Sequence, residues 1–132
     1  MGGVDETIFL GRSFAFRLKK GSIVALFGEL GAGKTTFVQG IMQGLGYHGV
    51  VNSPTFTYLH IYQAPICTYH FDLYRLKEVK DFITLGFEEY LYEEGICLIE
   101  WPEKILSILP PETLQVKLEH KGEEKRTITW DC

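Results

Sequence analysis

The sequence predicts an α/β fold: a central, largely parallel sheet flanked by helices, with antiparallel strands that include a C-terminal hairpin. Three observations predict it. Ile23–Phe27 and Ile96–Ile99 are short, continuous apolar runs, the signature of strands buried on both faces. Phe37, Val38, Ile41 and Leu45 fall on one helical face between them. Strand and helix patterns mix along the chain instead of segregating, which is how a sheet covered by helices reads.

The 132 residues fit one domain, spanning 1–132. Leu10, Phe14 and Leu18 repeat at helical spacing after Asp5-Glu6-Thr7, so the chain opens in a helix, although residues 14–18 also alternate as a strand would. Lys19-Lys20-Gly21 separates it from the first buried strand. The helix after that strand stops at Gly46, a C′ glycine. Phe56–Tyr62 and Ile66–Phe71 are aromatic and β-branched and flank Gln63-Ala64-Pro65, so they predict a strand pair. Residues 76–94 read as two helical pieces broken near Gly86. A short helix opens at Pro102-Glu103-Lys104 and ends at Pro110-Pro111. Leu114, Val116 and Leu118, then Ile128 and Trp130, alternate about a Lys121–Lys125 turn that contains Gly122, the terminal hairpin.

Composition narrows the class of function. Apolar residues are 45% and charged residues 23%, the balance of a folded globular chain. No run approaches the ~20 apolar residues of a membrane span. Met1-Gly2-Gly3-Val4-Asp5 has neither a basic start nor an apolar core, so no secretory signal is expected, and Glu6 stands where a myristoylation signal has Ser or Thr. A net charge of −4 argues against gripping nucleic acid by bulk electrostatics, while leaving room for a local basic patch or a partner-mediated role. Cys67, Cys97 and Cys132 match no metal or CxxC spacing, so no disulfide-linked partner is expected and a reduced, cytoplasmic location follows.

Gly28-Glu29-Leu30-Gly31-Ala32-Gly33-Lys34-Thr35 is GxxxxGK[ST] without a mismatch. Glycines let backbone N–H groups curl inward onto phosphate oxygens, where a side chain would block the approach. Lys34 can reach the β- and γ-phosphates as a point charge, and the Thr35 hydroxyl is a hard ligand for Mg²⁺. The following helix adds its positive dipole end. The pattern follows a buried strand and opens an amphipathic helix, the context that makes it a P-loop. Gly28, Gly31, Ala32, Gly33, Lys34, Thr35 and Thr36 are the expected nucleotide-binding residues, ATP and Mg²⁺ the expected ligands, and the fold is P-loop NTPase-like.

A P-loop names a ligand and not a reaction. The usual second part is a carboxylate at the end of a neighbouring buried strand. Glu100 directly follows Ile96–Ile99, and Asp72 follows Thr68-Tyr69-His70-Phe71. Both lie where ligands of open α/β sheets bind. Thr35 and Glu100 are the expected metal ligands, and Lys34, Asp72 and Glu100 the expected catalytic residues; which carboxylate meets the metal directly stays open. There is no NKxD motif, Asn52 being the only asparagine, and no DxxG. Arg12, Arg17, Arg75 and Arg126 are too few for the arginine-lined lid of a small-molecule kinase. An ATPase is favoured over a GTPase or a nucleotide kinase.

Four stretches together resemble the TsaE (formerly YjeE) family, small P-loop ATPases of bacterial tRNA threonylcarbamoyladenosine synthesis. They are the P-loop through Phe37, Val51-Asn52-Ser53-Pro54-Thr55-Phe56, Tyr69-His70-Phe71-Asp72-Leu73-Tyr74-Arg75-Leu76 and Cys97-Leu98-Ile99-Glu100-Trp101-Pro102-Glu103. The match runs over roughly residues 5–130, and HxDLYR followed by EWP is its most specific part. The resemblance implies association with TsaB-like and TsaD-like proteins, tRNA reached indirectly through that complex with any direct contact left open, and weak ATP hydrolysis stimulated there to reset it between turnovers. Nucleobase contacts are left unassigned.

The remaining motifs each carry more than one reading. Ser53-Pro54-Thr55 is ordinary turn chemistry or a γ-phosphate sensor. His70 is a hydrogen-bonded structural residue or a base; Arg75 is a surface ion pair, a partner contact or an arginine finger. Trp101 is a core or rim tryptophan, a cover for the metal carboxylate, or a reporter of its state to a partner. Glu88-Glu89 and Glu93-Glu94 are a solvated face or a contact for a basic partner surface. The alternatives to an ATPase are a nucleotide-gated binding module with incidental hydrolysis and a small P-loop kinase.

Overall fold

The computed structural model describes residues 4–29, 33–120 and 126–131. Helix α1 (Val4–Phe14) carries Asp5 and Glu6 in its first turn and Arg12 in its last, both favourable to its dipole. A 3₁₀ turn, Ala15–Arg17, continues it, so the ambiguous 14–18 segment is helical. There follow β1 (Ile23–Phe27), α2 (Lys34–Gly44), β2 (Leu59–Tyr62), β3 (Thr68–Asp72) and α3 (Val79–Thr84). A 3₁₀ piece (Glu88–Tyr92) leads to β4 (Ile96–Glu100), and a second (Pro102–Ile108) to β5 (Leu114–His120) and β6 (Arg126–Asp131). The terminal hairpin is present; its expected turn at 121–125 lies outside the described residues.

The sheet has six strands in the order β2-β3-β4-β1-β5-β6. The inner four, β3, β4, β1 and β5, are parallel, and the two edges pair antiparallel. The sequence-predicted fold class is the observed one. Two boundaries move. The strand expected from Phe56 begins only at Leu59, because the Pro54 carbonyl accepts from the Thr57 and Tyr58 amides (3.2 and 2.7 Å) and Tyr58 turns left-handed at φ 67°. The chain expected to be extended from Ile66 joins the ladder at Thr68.

Helix α2 stops where expected. Gly46, at φ 87°, donates to the Gln43 carbonyl while Tyr47 donates to Met42, the paired bonds of a Schellman ending.

Side-chain alternation divides the core between the sheet's faces. Val24, Leu26, Ile96 and Leu98 face α1 and α2, where Phe14, Phe37 and Ile41 are fully buried. Cys97, Ile99, Tyr69 and Phe71 face the other side, against Phe82, Leu91 and Ile105. Burial raises the Cys97 thiol pKa to about 12, and its Sγ donates to the Tyr90 carbonyl, so it behaves as a small core residue. The Glu93 carboxylate is more than a solvated group, since it accepts from Tyr69 Oη at 2.9 Å.

The same parity places Thr68, His70 and Asp72 with Ile96, Leu98 and Glu100 on the α2 face. Register sets Asp72 directly beside Glu100, and Glu100 beside Leu26, two residues before the P-loop. Three parallel strands thus deliver both carboxylates and the loop to one edge.

Helices α1 and α2 touch backbone to backbone. A Cβ at Gly40 would collide with the Ile8 carbonyl, and one at Gly11 with the Phe37 carbonyl. Alanine improves helix propensity by about 1 kcal/mol, but overpacking costs about 1–3 kcal/mol and backbone cannot rotate aside. Gly40→Ala is therefore expected to lose about 1–2 kcal/mol of stability, read as a lower urea midpoint at unchanged slope.

Candidate nucleotide site

The loop after β1 returns as α2 through Gly33, whose φ of 94° is left-handed, a conformation that costs a side-chain-bearing residue. Lys34 opens the helix and turns its side chain back under the loop. It is only 5% exposed. Its Nζ donates to the Gly28 carbonyl and, at 3.3 Å, to the Glu29 carbonyl. The Trp101 ring lies on its other side, with Nζ 3.6 Å from the centroid. A desolvated cation over indole gains about 2 kcal/mol. Burial lowers the Lys34 pKa, and Glu100, Asp72, Glu103 and Glu29 oppose that shift. Thr36 sits in the same first turn; Gly31 and Ala32 lie outside the described residues.

The Thr35 hydroxyl donates toward Glu100, 3.2 Å from Oε2 and 3.4 Å from Oε1. Glu100 is 3% exposed and holds a second partner, His70 Nε2, at 2.6 Å. One hydroxyl and one carboxylate make a hard, two-donor oxygen set. Mg²⁺ is typically held by one or two protein oxygens, with phosphates and water completing its shell. Thr35 and Glu100 fit that demand. Among the described residues no cluster of three His, Cys, Asp or Glu offers an all-protein metal cage.

Asp72 stands beside this pair but is differently engaged. Its Oδ2 accepts from Ser53 Oγ (2.8 Å) and Thr55 Oγ1 (2.9 Å), and its Oδ1 from the Tyr74 amide (3.0 Å). The Ser53-Pro54-Thr55 turn is therefore folded onto the second carboxylate, and the two hydroxyls lie 2.8 Å apart. The structure brings Lys34, Thr35, Asp72 and Glu100 to one edge, as the sequence expects.

Arg75 points elsewhere. Its guanidinium lies 4.5 Å above the Phe56 ring, and Phe56 is 80% exposed. Trp101 sits at the rim in a left-handed conformation (φ 56°, ψ 58°) that turns the chain from β4 into the Pro102–Ile108 turn, with the Tyr74 ring 4.9 Å away.

Sequence reasoning missed Tyr62. Its hydroxyl lies 2.9 Å from His70 Nδ1 and 3.3 Å from the Asn52 carbonyl. The signal was the β2–β3 register, which pairs Tyr62 with Thr68 and so sets it diagonal to His70. The Lys34–Trp101–Tyr74 stack carried no sequence signal, because it depends on the left-handed turn at Trp101.

A family model described as "Threonylcarbamoyl adenosine biosynthesis protein TsaE" matches residues 2–128. The chain is 44% identical over 112 residues to the tRNA threonylcarbamoyladenosine biosynthesis protein TsaE of Treponema pallidum, covering 85% of this chain and 83% of that one. It is 40% identical over 127 residues to the protein of that name from Bacillus subtilis, covering 96% and 79%. The crystal structure of Bacillus subtilis YdiB superposes with a TM-score of 0.83 at 35% identity, over 98% of this chain and 80% of that one. A P-loop whose threonine meets Glu100, a second carboxylate holding Ser53 and Thr55, and a family match over nearly all its length agree: the chain belongs to the TsaE family of tRNA threonylcarbamoyladenosine biosynthesis proteins.

Proposed function

We propose that the protein is an ATP-binding and ATP-hydrolysing accessory of the tRNA threonylcarbamoyladenosine machinery, weak alone and stimulated by TsaB-like and TsaD-like partners. Hydrolysis would reset the complex between turnovers, with tRNA reached through the partners and the work done in the cytoplasm. No helix among the described residues is long and apolar enough to cross a membrane. The observation that carries the reading is the Thr35–Glu100 contact beside Lys34, two oxygen donors and a cation converging where the P-loop opens α2.

In this reading the loop amides, Gly28, Gly31, Ala32, Gly33 and Thr36 cradle the phosphates. Lys34 exchanges its carbonyl partners for β- and γ-phosphate oxygens. Thr35 and Glu100 hold Mg²⁺, which when bound neutralises charge developing on the phosphates. Asp72, once Ser53 and Thr55 turn from it toward the γ-phosphate, orients the attacking water. Water oxygen bonds to the γ-phosphorus while its proton passes to Asp72 and then to the phosphate formed, the bond to the β,γ-bridging oxygen breaks, and ADP and phosphate leave. Among the described residues no glutamine or arginine is hydrogen-bonded to Asp72 or Glu100, which supports a reading of slow turnover without a partner.

One observation favours a second reading, a nucleotide-gated binding module with incidental hydrolysis. Phe56 and Arg75 form an exposed aromatic–cation pair beside the Ser53–Thr55 turn, a surface that nucleotide binding would move. Sustained formation of threonylcarbamoyladenosine in a system reconstituted from the three proteins, tRNA and the activated threonylcarbamoyl donor separates the two. Asp72→Asn is expected to support roughly one round and then stall. Continued modification by this variant would overturn the resetting ATPase in favour of gating.

The Lys34–Trp101 contact gives a direct readout of loading. Trp101 and Trp130 are the only tryptophans. Mg²⁺–ATP is expected to change the emission of a Trp130→Phe protein, as Lys34 leaves the indole for phosphate, and to leave Lys34→Ala in that background unchanged.

A further inference from the structure

His70 takes no part in the chemistry assigned above, yet it is fully buried and lies between two parts of the site. Its Nε2 faces Glu100 Oε2 at 2.6 Å. A carboxylate only accepts, so Nε2 carries the proton and Oε2 is held by it. On the opposite edge of the ring, Nδ1 lies 2.9 Å from the Tyr62 hydroxyl. Burial pushes the Tyr62 pKa up to about 12, so the phenol keeps its one proton, which it can share between Nδ1 and the nearby Asn52 carbonyl. The same hydroxyl is 3.3 Å from the Asn52 carbonyl, which His60 Nδ1 also approaches at 3.2 Å. The neighbouring Val51 carbonyl accepts from Gln39 Nε2 of α2 at 3.3 Å. Asn52 is the residue before Ser53, where the turn that reaches Asp72 begins. The two carboxylates are thus joined to adjacent positions of one short loop. Asp72 is joined through Ser53 and Thr55, and Glu100 through a rigid imidazole and a phenol.

We propose that His70 is a positioning residue: it holds Glu100 by one oxygen, so that the carboxylate stands beside Thr35 ready for a divalent cation, and through Tyr62 it ties that carboxylate to the root of the Ser53–Thr55 loop at Asn52. An apolar residue in its place would leave both Glu100 Oε2 and the Tyr62 hydroxyl without this partner, and the carboxylate free to rotate. Groups that orient a metal-binding side chain in this way typically change metal affinity by about 10–100-fold when removed. The inference rests on the nucleotide reading, so its test measures binding and not turnover.

ATP affinity would be measured calorimetrically in EDTA and across a Mg²⁺ titration, with melting temperature followed in parallel, for wild type, His70→Leu, His70→Gln and His70→Asn. Glutamine puts its amide nitrogen where Nε2 stood and keeps the donor to Glu100. Asparagine reaches only the Nδ1 side. His70→Leu and His70→Asn are expected to raise the Mg²⁺ concentration for half-maximal enhancement about tenfold or more, with affinity in EDTA unchanged, and His70→Gln to restore it. A merely structural histidine would lower the melting temperature and leave the Mg²⁺ midpoint at the wild-type value in all three, which would overturn the proposal. So would equal shifts in all three. Should His70→Leu fail to fold, Tyr62→Phe keeps the imidazole and removes its far anchor. It is expected to raise the midpoint by less than His70→Asn does, and a wild-type midpoint would break the proposed tie to Asn52. A wild-type protein that binds no ATP in either condition would overturn the nucleotide reading and this inference together, an outcome distinct from any variant-specific shift.

Discussion

Lys34→Ala is expected to lower Mg²⁺–ATP hydrolysis about 10²–10³-fold, the usual cost of deleting one preorganised electrostatic group from a site that excludes water. The magnitude follows from its surroundings. The side chain is nearly fully buried, roofed by the Trp101 ring and backed by the Gly28 and Glu29 carbonyls. Its charged form is disfavoured by burial and sustained by carboxylates, foremost Glu100. A phosphate is a better partner than two carbonyls, so charge held at this cost is available to a ligand. Folding does not depend on it in the same way. Losing the contact with the Trp101 ring is offset in part by relief of the burial cost of the charge, so the melting temperature of Lys34→Ala is expected to fall only modestly. Lys34→Arg is not expected to rescue hydrolysis, because a planar fork cannot occupy the narrow space between the loop and the indole as a point charge does. Phosphate release and thermal melting on the same preparations check both halves.

Asp72→Asn is expected to reduce hydrolysis about 10²–10⁴-fold, the range for losing a group that handles the nucleophile's proton, with ATP affinity close to wild type. The substitution isolates charge from architecture. Asparagine keeps an oxygen for the Tyr74 amide, and its NH₂ can donate to Ser53 and Thr55, whose hydroxyls accept as well as donate. The turn should therefore stay in place, with a stability change within about 1 kcal/mol. What disappears is the anion that orients water. A fall in affinity matching the fall in rate would instead assign Asp72 to ligand binding.

Most of this site is legible in the sequence because it lies on regular elements. An apolar strand, a glycine-rich turn and a helix fix where Lys34 and Thr35 stand. Two further buried strands ending in Asp72 and Glu100 must finish at the same edge if they lie parallel to the first, and they do. What each carboxylate touches could not be read from the sequence: Glu100 meets Thr35, and Asp72 meets the Ser53–Thr55 turn. What stayed hidden depends on local backbone. The left-handed turns at Tyr58 and Trp101 break the rule that bulky residues keep φ negative. The first shortens the strand expected from Phe56. The second brings an indole over Lys34. Tyr62 was hidden for a different reason: it reaches His70 across a strand pair whose register is set by the Gln63–Cys67 loop and not by any motif.

The most direct test of the central claim is phosphate release from Mg²⁺–ATP by the purified protein, alone and with TsaB-like and TsaD-like proteins from the same source, beside Lys34→Ala. Slow release that rises when the partners are added, and vanishes in Lys34→Ala, is the expected result. Release that is unchanged by the partners, or equal in Lys34→Ala, would contradict it.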